Sequence, residues 1–132
     1  MQSRRTCQSI IALGSLCAGL SVAAGAFGAH MLKAILEPSM LAVFETGARY
    51  QMYHGLGMVA AGVAGLVLDR PKLTRAGWSF AFGMLLFCGS LYGVSLLGLR
   101  WLGAITPVGG ACFIAGWAIF AWEAWQSAAS RE

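Results

Sequence analysis

The stretch Ser9 to Gly28, SIIALGSLCAGLSVAAGAFG, carries no charged residue, and its reading decides the fold. About 20 predominantly apolar residues make a helix long enough to cross the roughly 30 Å hydrocarbon core of a bilayer. Similar runs recur at about 50–68, 76–97 and 106–125, these three separated from one another by short polar connections. Of the 132 residues, 58% are hydrophobic and only 11% are charged, where an average soluble domain is about 25% charged. These observations predict an all-α integral membrane four-helix bundle, one transmembrane domain over residues 1–132. Short connections make neighbouring helices antiparallel.

The first run follows a basic start, Arg4-Arg5, and contains Ala24-Gly25-Ala26, so it could be taken for a cleaved signal. It exceeds the 7 to 15 apolar residues usual for such a segment, and three more runs follow, which favours a retained anchor. Leu16 before Cys17 also spoils a lipoprotein site, which needs a small residue there. Between the first two spans, Met31 to Ala48 is less apolar and carries Lys33, Glu37 and Glu45. Pro38 suits a first helical turn and disfavours helical geometry at Glu37, so a new helix should begin there. Met40, Leu41, Phe44 and Ala48 then recur at helical spacing, as in an amphipathic segment lying in the headgroup region. Thr106-Pro107 reads as an N-cap followed by a first-turn proline.

The net charge of +4 does not suggest nucleic acid, because the basic residues stand at span ends and form no stripe interleaved with aromatics. They orient the chain instead. Arg4, Arg5, Arg70, Lys72, Arg75 and Arg131 fall on one side, against Lys33, Arg100 and Arg49 on the other. The positive-inside rule then makes both termini cytoplasmic in a bacterial inner membrane. Trp78, Trp122 and Trp125 would sit at the inner interface and Trp101 at the outer one, where amphipathic rings prefer to lie.

Lipid tails are as apolar as leucine, so helices in a membrane associate through small residues that allow close approach. Gly25 and Gly28 on the first span, Gly57 and Gly65 on the second, and Gly89 and Gly93 on the third are the candidate packing positions. Polar groups are the exception to be explained. His30, Glu45, Arg49, Tyr50, Gln51 and His54 cluster at the mouths of the first two spans, and ionisable residues at such depth usually face the bundle interior or a wet cavity. At 100° per residue, Glu45 and Arg49 share one side, at the spacing of an i, i+4 ion pair. Tyr50, Gln51 and His54 share the opposite side, which is expected to pack against the first span near Gly25, Gly28 and His30. Two histidines on adjacent helices could also ligate a haem or a metal, or each could bond to neighbouring carbonyls and side chains. No third metal ligand is evident, and Cys7, Cys17, Cys88 and Cys112 show no metal or redox spacing. No nucleotide, hydrolase or metalloprotease motif is present, so neither catalytic residues nor a bound cofactor are expected.

Gly25-Ala-Phe-Gly-Ala-His30 followed by Phe44-Glu-Thr-Gly-Ala-Arg-Tyr-Gln-Met-Tyr-His54 resembles the paired signature of the YgdD/YwdK type of small inner-membrane proteins. That family has unknown function and eukaryotic relatives. The resemblance implies a four-span layout and makes the six polar residues signature positions; it implies no substrate. The expected role is a non-catalytic accessory or assembly subunit, in contact with lipid and with other membrane subunits or a second copy. The alternatives are a small-solute or proton transporter using the His54 face, and a haem- or quinone-binding redox subunit. The orientation is checked by cysteine labelling from outside intact cells: Gly103→Cys should be labelled and Thr74→Cys should not. The reverse pattern contradicts it.

Overall fold

The computed structural model describes residues 1–129; Arg131, counted above among the basic residues of one side, lies outside them. Four long helices carry the chain: α1 (Gln2–Phe27), α2 (Pro38–Val67), α3 (Thr74–Leu97) and α4 (Thr106–Ala129). A wide π-helical turn, Gly28–Leu32, extends α1, and 3-10 turns at Pro71–Leu73 and Arg100–Ala104 precede α3 and α4. Backbone groups in hydrocarbon find no water, which is why nearly every residue is helical.

The breaks have local causes. Glu37 is extended, with φ −56° and ψ 145°, and Pro38 takes the first turn of α2. From Pro38 the helix continues without interruption, so the expected interfacial segment and the second span form one element. α2 ends where Asp69 adopts the left-handed conformation, φ 52°, and the Arg70 N–H donates to the Gly65 carbonyl at 3.1 Å. This six-to-one bond is a Schellman turn, and aspartate is among the few residues that tolerate its backbone. Thr106, expected as a cap, is instead part of α4, and its hydroxyl lies 2.6 Å from that of Ser90 on α3. The side chain bonds across the α3–α4 seam.

Consecutive helices are antiparallel. Along the α1–α2 seam Cys7 meets Gly62 and Gly65, Gly14 meets Gly55 and Met58, and Ser21 bonds to the Ala48 carbonyl. Along the α2–α3 seam Gly57 meets Phe80 and Gly47 meets Tyr92. Along the α3–α4 seam Phe80 meets Gly116, Gly83 meets Phe113 and Ser90 meets Thr106. α2 and α3 are the inner pair of this bundle, with α1 and α4 on opposite flanks. The start of α1 and the Asp69–Pro71 turn line one pocket, and the Arg70 guanidinium donates to the Gln126 carbonyl near the end of α4 at 2.9 Å. The N-terminus, the α2–α3 connection and the end of α4 therefore share one end of the bundle.

By length and apolarity alone, Ser3–Ile35, Pro71–Leu97 and Arg100–Ala129 suffice to cross a membrane. α2 falls short because of its polar residues, yet it runs alongside its neighbours over the same depth. Its contacts explain this. Helices flanking it turn apolar residues outward, with Leu20, Val22, Leu85, Ile114 and Trp125 all exposed, while the core gathers Ile10, Met58, Ala61, Phe80, Met84 and Phe113.

Phe80 is fully buried between two glycines of different helices. A Cβ at Gly57 would lie 3.1 Å from its ring, and one at Gly116 would lie 2.5 Å away. On the other seam a Cβ at Gly14 would stand 2.6 Å from the Gly55 carbonyl oxygen. Gly28, Gly65 and Gly93 also sit at contacts, against Phe44, Cys7 and Leu102 respectively. Gly25 and Gly89 do not: a Cβ at either would meet no atom within 4 Å. Substitution at the two kinds of glycine should therefore differ in sign. Gly14→Ala should destabilise by about 1–3 kcal/mol through overpacking. Gly89→Ala should be neutral or stabilise by up to about 1 kcal/mol through helix propensity. Reversible unfolding in mixed micelles checks both values, and equal effects would contradict the assignment of the seam.

Candidate functional site: the polar cluster of α2

Half-way along α2, one turn of helix sends side chains to three partners. Gln51 bridges two of them. Its Nε2 donates to the Cys17 carbonyl of α1 at 2.9 Å, and its Oε1 accepts from the Tyr92 hydroxyl of α3 at 2.8 Å. Each end of the amide thus holds a neighbouring helix.

His54 is only 4% exposed. Its Nδ1 lies 2.8 Å from the Tyr50 carbonyl, and its Nε2 lies 3.2 Å from the indole nitrogen of Trp117 on α4. A carbonyl only accepts and an indole N–H only donates. The pair of contacts therefore assigns the neutral ring with its proton on Nδ1 and the lone pair on Nε2 engaged by Trp117. The ring lies flat on Phe113, with centroids 3.4 Å apart and planes at 5°. Tyr50 stacks on Phe87 at 4.9 Å, and Phe80 tilts against Trp117 at 4.8 Å.

This arrangement corrects the expected face. Tyr50 and His54 turn toward α3 and α4, away from Gly25, Gly28 and His30; only Gln51 reaches α1. Phe44 takes the place beside Gly28. The phase calculation places Tyr50, Gln51 and His54 on one side correctly, but Gln51 stands at the edge of that arc and reaches the other neighbour. His30 is exposed on the wide turn after α1, so the two histidines do not meet. Glu45 and Arg49 are exposed and line one groove, and among the described residues no ion pair joins them.

Several participants carried no sequence signal of their own. Tyr92, Phe87, Phe113 and Trp117 read as ordinary apolar span residues, although Gly109, Phe113 and Gly116 at helical spacing mark the buried face of α4. Glu123 carries no motif that sets it apart in the sequence. It is 7% exposed, and its Oε2 has no hydrogen-bond partner among the described residues.

Between α2, α3 and α4 the aromatic rings leave an open groove of about 550 Å³, lined by Tyr50, Tyr53, His54, Phe87, Phe113, Ile114 and Trp117, with Gly110 in its wall. Apart from His54 and the tyrosine hydroxyls the lining is apolar, so the groove suits a hydrocarbon surface better than a hydrated solute. A haem or metal on His54 would have to displace either the Tyr50 carbonyl or the Trp117 N–H. Among the described residues no three histidine, cysteine or acidic side chains come together as a metal site.

Residues 24–110, which include all six polar residues, match a family model described as a protein of unknown function, DUF423. The chain is 48% identical over 107 residues to the UPF0382 membrane protein SH2409 of Staphylococcus haemolyticus, covering 81% of this chain and 87% of that protein. It is 45% identical over 108 residues to the UPF0382 membrane protein YwdK of Bacillus subtilis, covering 81% and 88%. No solved structure matches it. The chain belongs to the DUF423 family, whose members here carry the name UPF0382 membrane proteins and whose function is unknown.

Proposed function

We propose that the protein is a non-catalytic accessory or assembly subunit of the bacterial inner membrane, with both termini cytoplasmic, that docks another membrane protein. One observation carries the reading. The polar residues that could have served a ligand or a transport path, Gln51 and His54, are occupied in bonds between helices. The groove beside them is mostly aromatic, and His54, already bonded to Tyr50 and Trp117, is part of its lining. Such a surface gives a neighbouring helix rings to pack on, and small residues beside it permit close approach. The polypeptide outside the helices is short, which supports a role inside the bilayer rather than in either aqueous compartment.

The groove can be filled without disturbing the core. A Cβ at Gly110 would lie 3.9 Å from Phe87, an ordinary van der Waals distance, so a larger side chain there projects into free space. Chromosomally tagged protein, extracted in mild detergent, should run as a complex with at least one further membrane chain. Gly110→Leu should release that chain and run alone while its melting temperature stays within a few degrees of the parent. A complex that survives Gly110→Leu, or a parent that purifies alone after in-membrane crosslinking, contradicts the docking role.

A further inference from the structure

A second groove lies on the α1–α2 seam, at the end of the bundle away from the termini. Ser21, Gly25, Phe44, Glu45, Ala48 and Arg49 line about 400 Å³ there. Its floor is fixed, because the Ser21 hydroxyl donates to the Ala48 carbonyl at 2.6 Å. Gly25 keeps it open, since a Cβ there would meet nothing within 4 Å.

Two opposite charges stand on one wall. Glu45 and Arg49 are both exposed and, among the described residues, make no ion pair with each other. They are one helical turn apart, about 6 Å along the axis. Depth gives the pair its meaning. From the end of α2 at Val67 back to Arg49 the helix rises roughly 27 Å, close to the roughly 30 Å of a hydrocarbon core. Arg49 therefore reaches the level of lipid phosphates, and Glu45 stands one turn farther out, among the terminal headgroup atoms.

We propose that this groove binds the headgroup of a zwitterionic phospholipid with a primary ammonium, the phosphatidylethanolamine class. Arg49 takes the phosphate through its planar fork of donors, and Glu45 accepts from the ammonium. Gly25 and Phe44 line the headgroup end of the groove, and the acyl chains run from the phosphate in the opposite direction, toward the middle of the bilayer. A choline headgroup has no N–H to give Glu45, and an anionic glycerol headgroup lacks the ammonium while Glu45 repels its charge. The site is thereby selective among lipids that share the phosphate. It is separate from the aromatic groove and stands whether or not that groove docks a protein.

The test is native mass spectrometry of the full chain with added dioleoyl phosphatidylethanolamine, phosphatidylcholine or phosphatidylglycerol, each at matched acyl composition. The ethanolamine lipid should be retained with about tenfold preference, the scale of one charge-assisted hydrogen bond. Arg49→Gln should lose most binding of all three. Glu45→Gln should keep phosphate binding but erase the preference for ethanolamine over choline and glycerol. Both residues are exposed, so unchanged melting of the lipid-free variants in detergent shows that the fold is intact. Equal retention of the three lipids by the parent, or a preference that persists in Glu45→Gln, overturns the proposal. So does water-soluble phosphoethanolamine competing as well as the lipid, which would make the ligand a free metabolite.

Discussion

Close backbone approach at glycine is the constraint on which the rest of this structure depends. A bilayer offers helices little reward for burying leucine, so contact has to come from dense packing and from hydrogen bonds between helices. Gly14 against Gly55 brings α1 onto α2 almost backbone to backbone. Phe80 between Gly57 and Gly116 does the equivalent for α2, α3 and α4 with a ring between two bare helix surfaces. Once these crossings are set, the Cys17 carbonyl and the Tyr92 hydroxyl come within reach of the Gln51 amide, and Trp117 comes within reach of His54. The hydrogen bonds depend on the packing more than the packing depends on them, since interhelical bonds in membranes average only about 0.6 kcal/mol each.

That order of dependence shapes the functional reading. Three of the signature residues serve the contacts between helices: Gln51 and His54 make their hydrogen bonds within the protein, Tyr50 supplies the carbonyl that holds His54, and its ring stacks on Phe87. His30 stands apart on an exposed turn. Glu45 and Arg49 behave differently again, exposed along the groove between α1 and α2. A single motif in the sequence thus divides into a part that holds helices together and a part that faces away from the bundle.

Much of the helical layout was legible because its causes are local. The length of the apolar runs, the pair Glu37-Pro38 and the shortness of the connections each act through nearest neighbours in the chain. The grouping of Tyr50, Gln51 and His54 on one arc was legible for the same reason, as helical phase. Which helix that arc faces was not. Phase places side chains around one axis, whereas the facing partner depends on how four axes are arranged, and Phe113 and Trp117 lie about 60 positions farther along the chain. The glycines divide in the same way. Gly57 and Gly65 lie on crossings while Gly25 and Gly89 face open space, and spacing alone could not separate them because a small residue looks alike in a seam and at a groove. Thr106 beside Pro107 carried a capping signal, but Thr106 lies inside α4, with its hydroxyl beside that of Ser90 across the seam.

The central claim is that His54 is a structural residue with both ring nitrogens engaged inside the bundle. Nitrogen-15 spectroscopy of the histidine side chains in lipid bilayers tests it most directly, with His30→Asn leaving His54 as the sole histidine of the chain. The account predicts a neutral ring protonated on Nδ1, coupled through space to the Trp117 indole proton, with Nε2 shifted as a hydrogen-bond acceptor. A ring protonated on Nε2, a doubly protonated ring, or a nitrogen shift characteristic of metal or haem ligation would contradict it.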